Sequence, residues 1–92
     1  MLYPLMTLND NTEIAFSDMI RDNNKKQVKV YVEQPVYGGF HNAWCRLPDY
    51  EWSEINGFTD AEIKEYTELI ESMAHLIFRF AEQGGIGNAP NF

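Results

Sequence analysis

Residues 58–85 carry the local signals for one long helix, and the rest of the chain has to supply a surface for it. Thr59 and Glu62 stand three apart, the spacing of a capping box in which each side chain accepts a hydrogen bond from the other residue's amide. Phe58 and Ile63 occupy the flanking positions of a hydrophobic staple. Apolar residues then recur at Ile63, Tyr66, Ile70, Met73, Ile77 and Phe80, always three or four apart, which draws one stripe along a helix of about 3.6 residues per turn. Leu69 and Leu76 widen the stripe on one flank and Ala74 and Ala81 on the other. Gly84-Gly85 supplies a left-handed stop. The spacing predicts a helix over residues 60–83, amphipathic and in need of a covering layer.

The first half of the chain switches to period two. Val28, Val30 and Val32 alternate with Lys29, Tyr31 and Glu33, the pattern of a half-buried antiparallel strand over Gln27–Gln34. Tyr3–Leu8 and Thr12–Ile20 are earlier strand candidates, the second with Ile14, Phe16 and Ile20 on one face. Asn9-Asp10-Asn11 and Asp22-Asn23-Asn24-Lys25 read as turns, because Asn and Asp tolerate positive φ. Pro35 to Gly39 is expected to stop the third strand. A fourth strand over Phe40–Leu47 leaves two choices of inward face: Phe40 with Trp44, or Ala43, Cys45 and Leu47. Pro48-Asp49 closes it, and Tyr50 to Asn56 is read as a short helical turn before Gly57. The expected architecture is α+β: a small antiparallel sheet of three to four strands, a short helix, and one long C-terminal amphipathic helix packed on one sheet face. Strands are expected over about residues 2–47, helices over 49–83, and an irregular tail over 84–92, with Phe92 free to dock on the body or on a second subunit.

With 92 residues, 45% of them hydrophobic, the chain suits a single domain with one core. Thirteen aromatic residues are many for one small core, so some are expected at an interface. Cys45 is the only cysteine. Without an intramolecular disulfide, a domain this small fits a reducing compartment, and a cytoplasmic location is expected. Neither a signal peptide at Met1–Met6 nor a membrane-spanning run is legible.

Charge is distributed unevenly. From Asp49 to Glu71 eight carboxylates face one base, Lys64, so this stretch carries the entire formal net charge of −7. Elsewhere six acids balance six bases. On a helical wheel, Lys64, Glu68, Glu71, Ser72, His75 and Arg79 fall opposite the apolar stripe, with Glu65 at the edge of that face. Acids early in a helix and Arg79 late in it complement the helix dipole, and a solvated face needs no further reason. The sharper reading is that the carboxylates imitate a row of phosphates and dock on a basic surface. Direct contact with a nucleic-acid backbone is disfavoured, because that contact is driven by lysine and arginine.

Candidates for chemistry are few. Cys45 lies between Trp44 and Arg46 in a candidate strand, where neighbours point to opposite faces, so a buried structural thiol is expected. His75 is read as a surface residue one turn from Glu71 and Arg79, and His41 as a loop-edge residue after Gly38-Gly39-Phe40. The two histidines and one cysteine lack a metal-ligand spacing. Gly84-Gly85-Ile86-Gly87 follows a helix, whereas phosphate loops precede one. No catalytic residue, metal or cofactor is expected. Two functions remain. One is a non-enzymatic protein-binding module, in which Asp49, Glu51, Glu54, Glu65, Glu68 and Glu71 supply charge and Tyr50 and Trp52 act as anchors. Its partner would be a protein with a basic surface, such as a nucleic-acid-binding protein, toxin or defence nuclease, held as by an inhibitor or antitoxin. The other is a homo-oligomer, in its simplest form a homodimer, joined through a sheet face bearing Tyr31, Tyr37 and Trp44.

Overall fold

The β-branched run at Val28–Val32 becomes the centre of a sheet whose strands are all antiparallel to their neighbours. In the computed structural model, described for residues 1–84, six strands precede one helix. They are β1 (Leu2–Thr7), β2 (Glu13–Ser17), β3 (Ile20–Asp22), β4 (Lys25–Val36), β5 (Gly39–Leu47) and β6 (Glu51–Asn56), followed by α1 (Asp60–Glu82). Sheet order is β1-β2-β4-β5-β6, with β3 paired to the start of β4. Phe16 lies opposite Val30 and Ile20 opposite Gln27, so β3 continues the line of β2 past a one-residue offset at Ser17–Met19.

Local chemistry accounts for the turns. Asn23 and Asn24 form the two-residue loop between Asp22 and Lys25 with φ of +50° and +67°. Both central residues of a tight hairpin of this hand need positive φ, which asparagine tolerates. The β4–β5 hairpin closes through Tyr37-Gly38, with Gly38 at φ +85°. Pro35 does not end β4, which runs on to Val36. Pairing with β2 stops at Glu33, so the missing prolyl N–H falls beyond that ladder.

The core lies between the sheet and α1. Phe16, Val28, Val30, Val32, Ala43, Cys45 and Leu47 are fully enclosed on the sheet side, and Ile70 and Ile77 on the helix side. Tyr66 and Ala81 are buried with them. The ambiguity in β5 resolves toward Ala43, Cys45 and Leu47, leaving Phe40 exposed and Trp44 on the outer face. The helix starts at the predicted cap: Thr59 accepts from the Glu62 amide at 3.2 Å, and Glu62 accepts from the Thr59 amide at 2.9 Å. It ends at Gln83, followed by Gly84 at φ +82°.

Two expectations are corrected. The sheet has six strands, not three to four, and the short helix at Tyr50–Asn56 does not form. That segment is β6, an edge strand that supplies partners to β5. Trp52 turns toward the core while Glu51 and Ser53 face the other way, which is the alternation of a strand. The extra strand at the front arises because the offset at Ser17–Met19 divides the expected Thr12–Ile20 strand. The expectations for Ile86–Phe92 lie outside the described residues.

Candidate partner-binding surface

The helix is held from both sides, so its outer face is presented at a fixed angle. Near its start, the Trp52 indole N–H donates to Thr67 Oγ1 at 2.9 Å, and the same hydroxyl donates to the Ile63 carbonyl at 2.8 Å. At its end, Glu82 accepts from Arg21 at 2.6 Å and from Lys26 at 3.3 Å, tying α1 to the β3–β4 hairpin. Those two cations hold the Glu82 carboxyl below its ordinary range, Lys26 contributing most.

Glu65, Glu68 and Glu71 are exposed on α1 and take part in no ion pair among the described residues. Lys64, Ser72, His75 and Arg79 are also exposed, so the polar face predicted from the wheel is where the wheel put it. Tyr50 sits in the β5–β6 turn, packed partly against the core; burial first, and then the Glu71 carboxylate, push its phenol upward. Asp49, its exposed neighbour, belongs to the same turn.

The remaining predicted residues lie elsewhere. Glu51 is paired with Arg46 on the sheet face that α1 does not cover. Glu54, a left-handed residue at φ +51°, lines a shallow groove of about 390 Å³ on that face with Lys29, Trp44 and Arg46. The stretch Asp49–Glu71 is therefore contiguous in sequence and split in space. Trp52 is packed against the core with its N–H satisfied by Thr67. Of the three aromatics assigned to a sheet face, Tyr31 and Trp44 meet there with ring centroids 4.7 Å apart. Tyr37 is fully exposed at the tip of the β4–β5 hairpin, away from that pair.

Sequence reasoning missed the neighbours that complete the uncovered face. Lys29, Tyr31 and Glu33 were visible as alternate residues of one strand, but Glu13, Asn42 and Arg46 join them only through strand register. His41 is not a loop residue: it lies in β5, half-buried, its ring edge-on to Phe58 at 5.6 Å, with Nδ1 enclosed and without a hydrogen-bond partner among the described residues. Cys45 is fully enclosed, and burial pushes its thiol up to about 12. A thiol so placed stays protonated and is not a nucleophile near neutral pH. Among the described residues no cluster of three or more His, Cys, Asp or Glu side chains is arranged to hold a metal ion. No helix among them is long and apolar enough to cross a membrane. The chain matches no family model, no curated protein and no solved structure.

Proposed function

We propose that this protein is a binding module whose helix docks its carboxylate face on a basic surface of a partner protein, in the position that a phosphate backbone would take. The reading rests on one observation: Glu65, Glu68 and Glu71 are exposed, and without an ion pair among the described residues, on a helix whose opposite side is locked to the sheet. Dipole complementation covers Asp60 and Glu62, which are in the first turn. It fades within about one turn, so it does not account for Glu68 and Glu71. Like charges three residues apart instead oppose the helix by about 0.2–0.5 kcal/mol per pair. Successive carboxylates are spaced about 4.5 Å along the axis, comparable with the rise of about 3.4 Å per phosphate along one DNA strand. A rigid ridge of that density fits a surface built for nucleic acid, such as that of a nuclease or a nucleic-acid-binding toxin. Asp49 and Tyr50 flank the ridge beside Glu71, whereas Glu51 and Glu54 do not belong to it.

The test is capture with wild type and with E65K/E68K/E71K as immobilised baits, followed by crosslinking to the bait. Wild type is expected to hold a basic, nucleic-acid-binding protein that duplex DNA or raised salt displaces, with crosslinks to α1. The reading fails if the wild type holds no such partner, or if the triple reversal holds it equally well.

A further inference from the structure

The uncovered face of the sheet is banded across its strands. Register aligns Pro4, Ala15, Tyr31, Trp44 and Ser53 as one uncharged row across all five strands of the main sheet path. On one side of it lie Lys29 and Arg46, directly opposite each other. On the other side lie Glu13 and Glu33, also directly opposite each other, where like charges repel. Arg46 has Glu51 as a partner, but Lys29, Glu13 and Glu33 make no ion pair among the described residues. Because Glu51 shares that row and is spent on Arg46, Lys29 is the available cation at one end, with an aromatic centre and two carboxylates at the other end, an order complementary to itself turned end for end.

We propose that this face is a self-complementary interface on which a second copy of the chain packs, strands antiparallel across the contact. The two-fold axis runs across the strands at the level of Tyr31 and Trp44. That operation keeps β4 over β4 and reverses its direction, so Lys29 of one copy meets Glu33 of the other, and the contact is made twice per dimer. Lys29 and Glu33 each lie about 6.7 Å from the axis along the strand. Packed sheets of this kind cross at about 30°, which displaces each by about 3.3 Å sideways, within the sweep of a lysine side chain. The Tyr31–Trp44 pair sits at the centre, where aromatic anchors contribute most to an interface. The exposed Phe40 continues the same face at its acidic end, where it lines a hollow with Glu13 and Glu33. The arrangement leaves both carboxylate ridges outward, on opposite sides of the dimer, and does not depend on the proposed function of α1.

Sedimentation equilibrium at low salt on the full chain, K29E, E33K and K29E/E33K tests the proposal, with circular dichroism confirming that each is folded. Wild type is expected to dimerise, and each single reversal to weaken the dimer about tenfold or more by setting like charges face to face. The double reversal rebuilds the pair with its signs exchanged and is expected to recover most of that loss. Trp44→Lys is expected to abolish association by placing an ammonium at the centre. A wild type that stays monomeric at several hundred micromolar overturns the proposal. So do single reversals that leave the dimer unchanged, or a double reversal no tighter than the singles.

Discussion

Gly57 shows how much one residue can be asked to do. It links β6 to the helix cap at φ +92°, and a Cβ built there would lie 2.1 Å from His41 Cδ2. The imidazole has little room to yield, because Phe58 stands against it. Gly57→Ala therefore combines backbone strain with overpacking, and a loss of about 2–5 kcal/mol is expected in urea unfolding. Adding His41→Ala should relieve the overpacking part and leave the strain. A G57A protein as stable as wild type would mean that this junction is not constrained as described. Cys45 makes a second residue-scale case. Its thiol lies near 12 in the fold against an ordinary 9.0, so the unfolded chain loses this proton first as pH rises. The contribution is fully present below 9.0 and is lost between 9.0 and about 12. Cys45→Ala should flatten the alkaline fall in stability over that window by one proton, as read from denaturant midpoints against pH. An unchanged slope would show that the thiol titrates normally.

Elements differ in how locally they are determined, and that decides which of them sequence alone reveals. The helix is fully determined by its own residues: a reciprocal cap, a stripe at spacings of three and four, and a left-handed glycine after it. Thr59→Ala removes one half of the cap and should cost about 1 kcal/mol, measurable as a lower thermal midpoint with Glu62 in place. Turns were equally legible where asparagine clusters announce positive φ. Asn24, at φ +67°, should accept glycine with no loss of melting temperature, while Asn24→Ala should lower it. β6 was hidden because a bulge interrupts its alternation. Asn42 and Trp44, two apart in β5, face Asn56 and Ser53, three apart in β6, with left-handed Glu54 between them. Only Trp52 is then left to mark an inward side, among residues whose charge suggests a helix. The candidate surface divides along the same line. The ridge Glu65–Glu68–Glu71 was legible because a wheel is a local construction. Its separation from Glu51 and Glu54, and the banding of Lys29, Trp44 and Glu33 with residues of other strands, exist only through pairing register.

At the scale of the molecule, one helix covers one face of one sheet among the described residues, and each layer buries its apolar side against the other. Ile70 and Ile77 are fully enclosed between the layers. Truncating Ile70 to alanine should cost about 2–5 kcal/mol, a large share of the 5–15 kcal/mol or so that holds a small domain together. Far-ultraviolet dichroism and tryptophan fluorescence should then report the same lowered midpoint; separate midpoints would mean that helix and sheet melt independently. The ends of α1 are secured differently, and acid should separate them. Around Thr67 the helix is held by the uncharged Trp52–Thr67 hydrogen bond and by apolar packing, which do not titrate. The end is held in part by Glu82 against Arg21 and Lys26. Its carboxyl is depressed below the ordinary 4.5, so its contribution is fully present above 4.5 and is lost as pH falls through the lower folded value. Glu82 remains 43% exposed, so the effect is modest and screened by salt. Amide protection factors in the last turn of α1 and in the β3–β4 hairpin should therefore fall together below pH 4.5, while the turn around Thr67 keeps its protection. Glu82→Gln should show that lower protection already at neutral pH and respond less to acid. Protection of the last turn that holds as well as that around Thr67 through the acid range would show that this ion cluster does not fasten the helix to the sheet.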